Sequence, residues 1–419
     1  MAKILISPLG SGSLDRNNSA TRKYRTAKYQ IDGKDYEKSF IASVLYEHLN
    51  LDGIIFIGTV KSMWEEVYET FCQEKNVNCD ENYYCQLADK IAQLDYRSPL
   101  DSLDLSLIES VLGAKSRCIL IKYGIDQAEL WENFDKTIQV IDSLEKGDEL
   151  YLDITHSFRS LSVFQFLTVT FIQELLSEKQ IKISGVFYGM LDVTAELKYT
   201  PVVDLNPLFE ITAWIKGAYS LKNYGNGDLI AELLEKQGET TLAQQISQVS
   251  QSINMNYVNA IKQNSTTLKS SLAKPSPSKP FNYLRGILEK FAEKFAQKST
   301  RSAIPEAEYQ LELAGWYFEN QRYATGYITL AEAIITYLCE LEGKNPGSEN
   351  DRNTMKEFLH HPNNRNRELA QLYFQVNPIR TAIAHALIDK KRAGVGSAID
   401  NAEQYYQKAK QIFKTKTFL

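Results

Sequence analysis

Cysteine, histidine and excess positive charge are all scarce in this 419-residue sequence. Its five cysteines (Cys72, Cys79, Cys85, Cys118, Cys339) are scattered, and no two form a C-x-x-C pair. An odd count of dispersed thiols argues against a disulfide framework and a structural zinc site, and reduced thiols in an intracellular setting are expected. Lysine and arginine number 47 against 52 acidic residues, for a net charge of −5. Strong nonspecific binding to duplex DNA needs a basic coat that this chain lacks. Any phosphate must therefore be met by backbone N–H groups and a few chosen side chains. No run of about 18 apolar residues exists, so no membrane span is expected. The start, MAKILISPLG, lacks the features of a signal peptide and reads as a strand, which makes a cytoplasmic location the expectation.

What is present is an ordinary globular composition, 43% apolar and 24% charged, in a chain long enough for two or three domains. Lys3–Leu9, Gly53–Gly58, Cys118–Lys122, Glu149–Asp153 and Ile181–Tyr188 are short runs without polar alternation. Between them, Asp35–Leu49, Val60–Phe71, Gln127–Leu144 and Phe158–Ser177 carry apolar residues at helical spacing. Buried strands separated by helices predict a Rossmann-like α/β domain with a parallel sheet covered on both faces. Glu196–Val203 reads as a sixth strand, at an edge or in a hairpin.

Ligands of such sheets sit beyond the carboxyl ends of the strands. The segments leaving those ends are Gly10-Ser11-Gly12-Ser13, Gly58-Thr59, Tyr123-Gly124, Asp153 through Arg159, and Tyr188-Gly189-Met190. Small residues there let the backbone approach a phosphate, and N–H groups at helix starts donate to it. Their coincidence on one rim favours a phosphate-bearing ligand, although each glycine alone equally serves its turn. Gly10-x-Gly12 lacks the third glycine of the dinucleotide fingerprint, which argues against a nicotinamide dehydrogenase.

The stretch from Asp153 to Arg159 is the most informative. Thr155 and Ser157 are placed to cap the next helix, with His156 and Arg159 around its first turn. Cationic side chains are unfavourable at a helix start, which suggests an anionic partner. Asp153-x-Thr155-His156-x-x-Arg159 after a buried strand resembles the signature of CRISPR-associated Rossmann-fold (CARF) domains, dimeric sensors of cyclic oligoadenylate in type III CRISPR systems. The resemblance covers residues 1–205 and implies that Ser11, Gly12, Thr59, Thr155, His156 and Arg159 line the ligand groove. Gly10, Gly58, Gly124 and Ser157 complete the candidate ligand-binding set. Asp153 is expected to hold the turn rather than to touch an anion.

Residues 206–280 read as a helical connector. Leu242, Ile246, Val249, Ile253, Tyr257 and Ile261 follow helical steps, and Lys274–Pro280 carries three prolines that make a linker or hinge. Residues 281–419 show only helical patterning, over Phe281–Gln297, Pro305–Asn320, Arg322–Leu341, Asn353–His360, Arg367–Val376 and Ser397–Phe413. Asn377-Pro378 is expected to open a separate helix that runs to Leu387. That helix carries Arg380 and His385, five residues and about 140° apart. Histidine exchanges protons near neutral pH, and a guanidinium holds a phosphate and its developing charge. No clustered carboxylates accompany them, so no metal and no cofactor are expected.

Arg380-x4-His385 in an all-helical domain resembles the R-x4–6-H motif of the higher eukaryotic and prokaryotic nucleotide-binding (HEPN) ribonucleases, which are fused behind CARF domains. That resemblance covers residues 285–419. It implies Arg380 and His385 as catalytic residues of a composite dimeric site that cuts single-stranded RNA without metal, and it places Glu332 and Tyr337 near that site. The two resemblances together imply a homodimeric, or higher oligomeric, endoribonuclease activated by cyclic tetra- or hexa-adenylate in antiviral defence. Two alternatives stand beside this reading: a non-catalytic regulator that binds nucleic acid or protein, and a ring nuclease acting on the messenger in the Rossmann half. His360 and His361 read as part of a polar surface loop.

Overall fold

The computed structural model describes residues 1–11, 26–142, 144–156, 159–175, 178, 180–276, 278–297, 305–362, 366–386 and 394–415. The chain divides into two compact units, Met1–Phe209 and Glu210–Leu419.

The strands of the first unit are β1 (Lys3–Leu9), β2 (Ala27–Ile31), β3 (Lys34–Lys38), β4 (Gly53–Gly58), β5 (Arg117–Leu120), β6 (Glu149–Asp153), β7 (Lys182–Gly189) and β8 (Thr200–Asp204). They form one sheet in the order β3-β2-β8-β7-β6-β1-β4-β5. The five runs without polar alternation are the five consecutive strands β7-β6-β1-β4-β5, all parallel. Their side chains feed two apolar layers: Leu5, Ile54 and Phe56 pack on one face, and Ile4, Ile6, Ile55 and Ile57 on the other. That two-sided burial removes polar alternation from the sequence. The helices are α1 (Ile41–Leu49), α2 (Trp64–Glu74), α3 (Glu81–Gln93), α4 (Ser106–Leu112), α5 (Gln127–Asp142), α6 (Arg159–Leu175) and the single turn α7 (Thr194–Leu197). Among the five parallel strands, the chain proceeds from β1 to β4 and β5 on one side, then to β6 and β7 on the other. This reversal puts the crevice of the sheet at the carboxyl ends of β1 and β6.

Two expectations need correction here. The segment from Asp35 opens as strand, not helix: β2 and β3 form an antiparallel hairpin, and α1 starts only at Ile41. Asp32 and Gly33, both with positive φ (48° and 74°), form its two-residue turn. The expected sixth strand, β8, is shorter; it pairs antiparallel with the preceding β7 as in a hairpin, but it lies inside the sheet rather than at an edge, because β2 pairs on its other side.

Helix α8 (Asn206–Tyr224) begins in the first unit and ends in the second. The second unit continues with α9 (Asp228–Lys236), α10 (Thr240–Asn254), α11 (Val258–Leu272), α12 (Lys279–Phe295), α13 (Glu306–Glu319), α14 (Tyr323–Leu341), α15 (Glu349–Phe358), α16 (Arg367–Ala384) and α17 (Val395–Thr415). It holds two apolar cores. Trp214, Ile230, Ile246, Ile261 and Phe281 centre the first; Leu330, Ile334, Leu338, Leu372 and Val376 centre the second. Helix α13 serves both, with Tyr309 and Trp316 in the first and Leu311 and Phe318 in the second. The proline-rich stretch ends in a capped helix start: Ser278 Oγ accepts the Phe281 N–H, with Pro280 in the first turn. Helix α12 shares the first core, with Phe281, Leu288 and Phe295 packed in one cluster with Trp214 and Ile246. Among the described residues, no helix is long and apolar enough to cross a membrane.

Asn377-Pro378 does not open a helix. It lies inside α16, which runs unbroken from Arg367 to Ala384. An interior proline forfeits one backbone bond and costs about 3 kcal/mol in an isolated helix. Here Leu369, Leu372, Val376, Ile379 and Ala382 bury one face of α16, and that packing outweighs the local preference. The helix stops at Ala384 and not at Leu387. The His385 N–H still donates to Thr381 O (3.0 Å), Ala386 takes a positive φ of 51°, and Leu387 lies outside the described residues.

Candidate functional site

At the end of β6 the carboxylate of Asp153 is fully buried. Its Oδ2 accepts the hydroxyl of Ser7 from neighbouring β1 at 2.7 Å, and its Oδ1 accepts the Thr155 N–H at 2.8 Å. The turn is also tied to β7: Ile154 N–H donates to Phe187 O (2.9 Å), and Gly189 N–H donates to Thr155 Oγ1 (2.8 Å). A Cβ on Gly189 would lie 2.7 Å from Ile41 Cδ1 and 3.3 Å from Thr155 Cγ2, so a larger residue here would press on both side chains. Asp153 thus locks three strand ends together and points inward. Burial pushes its carboxyl above the usual carboxylate range, against the opposing pull of His156, Thr155 and Ser7. Burial likewise holds the His156 imidazole below its ordinary value, while the Asp153 charge pulls the other way.

The structure sorts the other candidate ligand residues into distinct roles. Gly10 is half-buried and Ser11 exposed, directly beyond β1 at the crevice, and Gly10 O accepts the Met63 N–H (3.1 Å). Thr155 and His156 stand on the adjacent turn, half-buried. Gly12, Ser157 and the side chain of Arg159 lie outside the described residues, although the Arg159 backbone begins α6.

Gly58 and Thr59 are buried, and they do not line an open groove. A Cβ on Gly58 would meet Ser62 Oγ and Trp64 Cζ2 at 2.8 Å, which explains that glycine by packing. Thr59 N–H donates to Ser62 Oγ (2.9 Å), and the Ser62 hydroxyl donates to Leu9 O (2.6 Å). This second loop holds the first loop in place from behind. Gly124 needs its positive φ of 78°, but its N–H donates to Glu129 Oε2 (2.9 Å), as does that of Ile125 (3.1 Å). A carboxylate of the chain itself fills the position that a phosphate would take. Strand β5 also lies two places from β1, about 10 Å along the sheet. The crevice therefore gathers Gly10, Ser11, Thr155 and His156, and leaves Gly124 elsewhere.

In the second unit, α14, α15 and α16 converge on one carboxylate. Glu332 Oε1 stands 3.6 Å from Arg380 Nη2, while its Oε2 pairs with Arg352 Nη2. Arg352 is anchored further by Nη1 bonds to Thr336 Oγ1 (3.0 Å) and Pro346 O (3.1 Å). Burial raises the Tyr373 phenol, followed by the Glu332 charge, against the two arginines, so this ring belongs to the same cluster. The Arg380 side chain keeps 37% of its surface exposed, and His385 is exposed at the end of α16. Both side chains are thus displayed to solvent, one braced and one at a helix terminus. Glu332 adjoins Arg380 as expected. Tyr337 faces another way, its ring stacked on Phe413 with centroids 4.0 Å apart. His360 packs its ring on Phe374 of α16 at 5.0 Å. Among the described residues, no three His, Cys, Asp or Glu side chains are grouped to hold a metal ion.

Sequence reasoning missed Ser7, Ser62, Glu129 and Arg352. Ser7 had a signal, as a lone hydroxyl within the apolar run of β1. Arg352 had none, since only tertiary packing brings α15 against Glu332.

These features define a Rossmann-like domain with a crevice at its strand ends, followed by a helical unit with a braced arginine and an exposed histidine. Residues 4–192 match the family described as CRISPR system endoribonuclease Csx1, CARF domain. Residues 210–301 match CRISPR-associated protein MJ1674, second domain. The chain thus carries a CARF domain over residues 4–192. It is 37% identical over 413 residues to CRISPR-associated protein MJ1674 of Methanocaldococcus jannaschii, covering 93% of this chain and 63% of that protein, so it spans under two thirds of its relative's length. Enterococcus italicus Csm6 bound to cyclic hexa-2'-fluoro-hexa-dAMP aligns over 99% of this chain and 95% of its own, at 13% identity and a TM-score of 0.37.

Replacing Asp153 by alanine strands the Ser7 hydroxyl and the Thr155 N–H in the interior, at about 1–3 kcal/mol for each unsatisfied group. Hydrogen exchange should show the Thr155 and Gly189 amides losing protection in Asp153→Ala while α14 and α16 keep theirs. Unchanged protection at Thr155 would mean that the carboxylate does not hold the turn.

Proposed function

We propose that the chain is an endoribonuclease of type III CRISPR defence, switched on by cyclic oligoadenylate in its CARF domain and cutting single-stranded RNA with Arg380 and His385. The observation that carries this reading is the pairing of an Asp153-locked anion crevice in one unit with a Glu332-braced Arg380 and a solvent-facing His385 in the other. The family matched by residues 4–192 is named for an endoribonuclease, which supports it.

The ligand is an anion with several phosphates. N–H groups at Gly10 and Ser11 and the start of α6 suit its phosphates, with His156 and Arg159 adding donors. The ligand spans two copies of the crevice across a two-fold axis. Apolar side chains exposed on α5 and α6, among them Trp131, Val163 and Leu167, favour a homodimer through this face. In the helical unit, residues 210–295 act as the connector and the later helices as the HEPN-like nuclease. The ribose 2′-oxygen attacks the adjacent phosphorus, losing its proton to one histidine. The bond from phosphorus to the 5′-oxygen breaks, and a second histidine protonates the leaving oxygen. Each copy supplies one His385 and one Arg380, whose guanidinium neutralises the pentacoordinate phosphate. The products are a 2′,3′-cyclic phosphate and a 5′-hydroxyl, and no metal takes part.

Replacing His385 or Arg380 by alanine should lower ligand-stimulated cleavage by about 10²- to 10⁴-fold without unfolding the protein. Gel assays on purified, thermally intact variants provide the check, and a His385→Ala protein cutting at the wild-type rate would end the assignment.

A pH dependence follows from His156. Burial keeps the free imidazole neutral at pH 7, whereas a bound phosphate favours the imidazolium and raises its affinity for protons. The complex therefore binds more protons than the free protein, and affinity rises as pH falls from 8 towards 6. Calorimetric titration with cyclic tetra- and hexa-adenylate should show this gain in wild type and its loss in His156→Gln. Equal pH slopes for the two proteins would remove His156 from the ligand site.

A further inference from the structure

The second unit contains a groove that neither the sequence motifs nor the family relationship assigns. It holds two adjoining cavities of about 590 and 670 Å³, which share Tyr257, Val258, Gln310 and Pro346. One wall is the turn between α10 and α11. The facing wall is α14, and the groove reaches Glu332 and Arg352 at one end. Glu332 also braces Arg380, so the groove runs up to that arginine.

Three observations make this groove a site. First, the turn is pinned to α14 and closed on itself by hydrogen bonds. Asn256 sits in left-handed backbone (φ 56°), and its side-chain amide donates to Thr329 Oγ1 on α14 at 3.0 Å. The Tyr257 N–H closes the turn on Ser252 O (3.0 Å). Secondly, this fixed turn displays its apolar side chains outward: Tyr257 is 62% exposed and Met255 61%. Thirdly, the carbonyl oxygen of Gln310, which lines both cavities, is buried and has no hydrogen-bond partner among the described residues. An orphaned acceptor of this kind costs free energy until a donor arrives. Groove-lining side chains include the amides and hydroxyls of Asn254, Asn259, Thr325 and Thr336, and the charged ones are already paired, Glu332 with Arg352 and Glu306 with Lys262. A highly charged ligand finds little here. A flat heteroaromatic ring with N–H donors at its edge finds a stacking surface and an acceptor.

We propose that this groove holds one base of the single-stranded RNA next to the cleaved bond, stacked on Tyr257 and read by Gln310. The inference rests on the ribonuclease reading and adds the determinant of its sequence preference. The Gln310 oxygen accepts from an exocyclic amino group, which favours adenine or cytosine over uracil at that position. Tyr257 and Gln310 are positioning residues and take no part in proton transfer.

The test uses the full-length protein with cyclic tetra- or hexa-adenylate and a set of short RNAs that differ in one base beside the cut. Tyr257→Ala should raise KM by about tenfold with kcat nearly unchanged, the loss of one base–aromatic stack, while Tyr257→Phe behaves as wild type. Gln310→Leu should flatten the preference among the four bases. Tyr257→Leu is a second variant of an exposed position should the alanine protein prove unstable. Fluorescence anisotropy of a labelled RNA on the His385→Ala protein separates the two layers of the argument. If wild type does not cleave but RNA binding still weakens in the Tyr257 variants, the nuclease assignment fails and the groove stands. Should Tyr257→Ala, Tyr257→Leu and Gln310→Leu match their parent in KM, base preference and binding, the groove is not a base site.

Discussion

A carboxylate sealed away from water fixes the shape of the crevice at the carboxyl ends of β1 and β6. Asp153 spends both oxygens on Ser7 and Thr155, one from the neighbouring strand and one from its own turn. It draws the ends of β1, β6 and β7 into one arrangement at the point where strand order reverses. Everything at the crevice inherits its position from that lock: the loop after β1, His156, and the start of α6. The second loop reinforces it from behind, since the Ser62 hydroxyl holds Leu9 O and Met63 holds Gly10 O. The residues offered to solvent at the crevice are consequently donors and small groups, while the Asp153 carboxyl is turned inward.

The helical unit repeats this logic with a different carboxylate. Glu332 sits between Arg380 and Arg352, so one arginine is tied deep into α14 and the other stays half in solvent. A free guanidinium on a long side chain sweeps a large volume, and the brace reduces that freedom before any phosphate arrives. His385 gains its exposure from the end of α16, where Ala386 takes a left-handed turn. The proline at 378 is retained inside this helix despite its local cost, two residues before Arg380.

Much of this was legible in the sequence, for reasons that also mark the limits. The five parallel strands were readable because burial on both faces leaves runs such as Gly53–Gly58 without a polar residue. The turn at Asp153–Arg159 was readable because cationic residues at a helix start go against local preference. The hairpin from Ala27 to Lys38 was missed although Asp32-Gly33 is a hairpin signal, because β3 is a mostly exposed strand whose charged residues hide its alternation. Asn377-Pro378 misled because its caps are a local rule, and the buried face of α16 overrides them. Gly58 and Gly124 show why glycine at a strand tip is a weak indicator: one is explained by Trp64 packing, and the other lends its N–H to Glu129. Arg352 lay beyond any local reading, since its role exists only once α15 has packed against α14.

In the proposed mechanism one event joins two sites: an anion bound at the Asp153 crevice makes the Arg380 and His385 pair competent. The most direct measurement is incubation of the wild-type protein with labelled single-stranded RNA in excess chelator, with and without cyclic tetra- and hexa-adenylate, followed by analysis of the new RNA ends. The account predicts cleavage only with one of the cyclic oligoadenylates, leaving 2′,3′-cyclic phosphate and 5′-hydroxyl termini. Absence of cleavage with every ring size, or products ending in a 5′-phosphate that require a divalent metal, would contradict it.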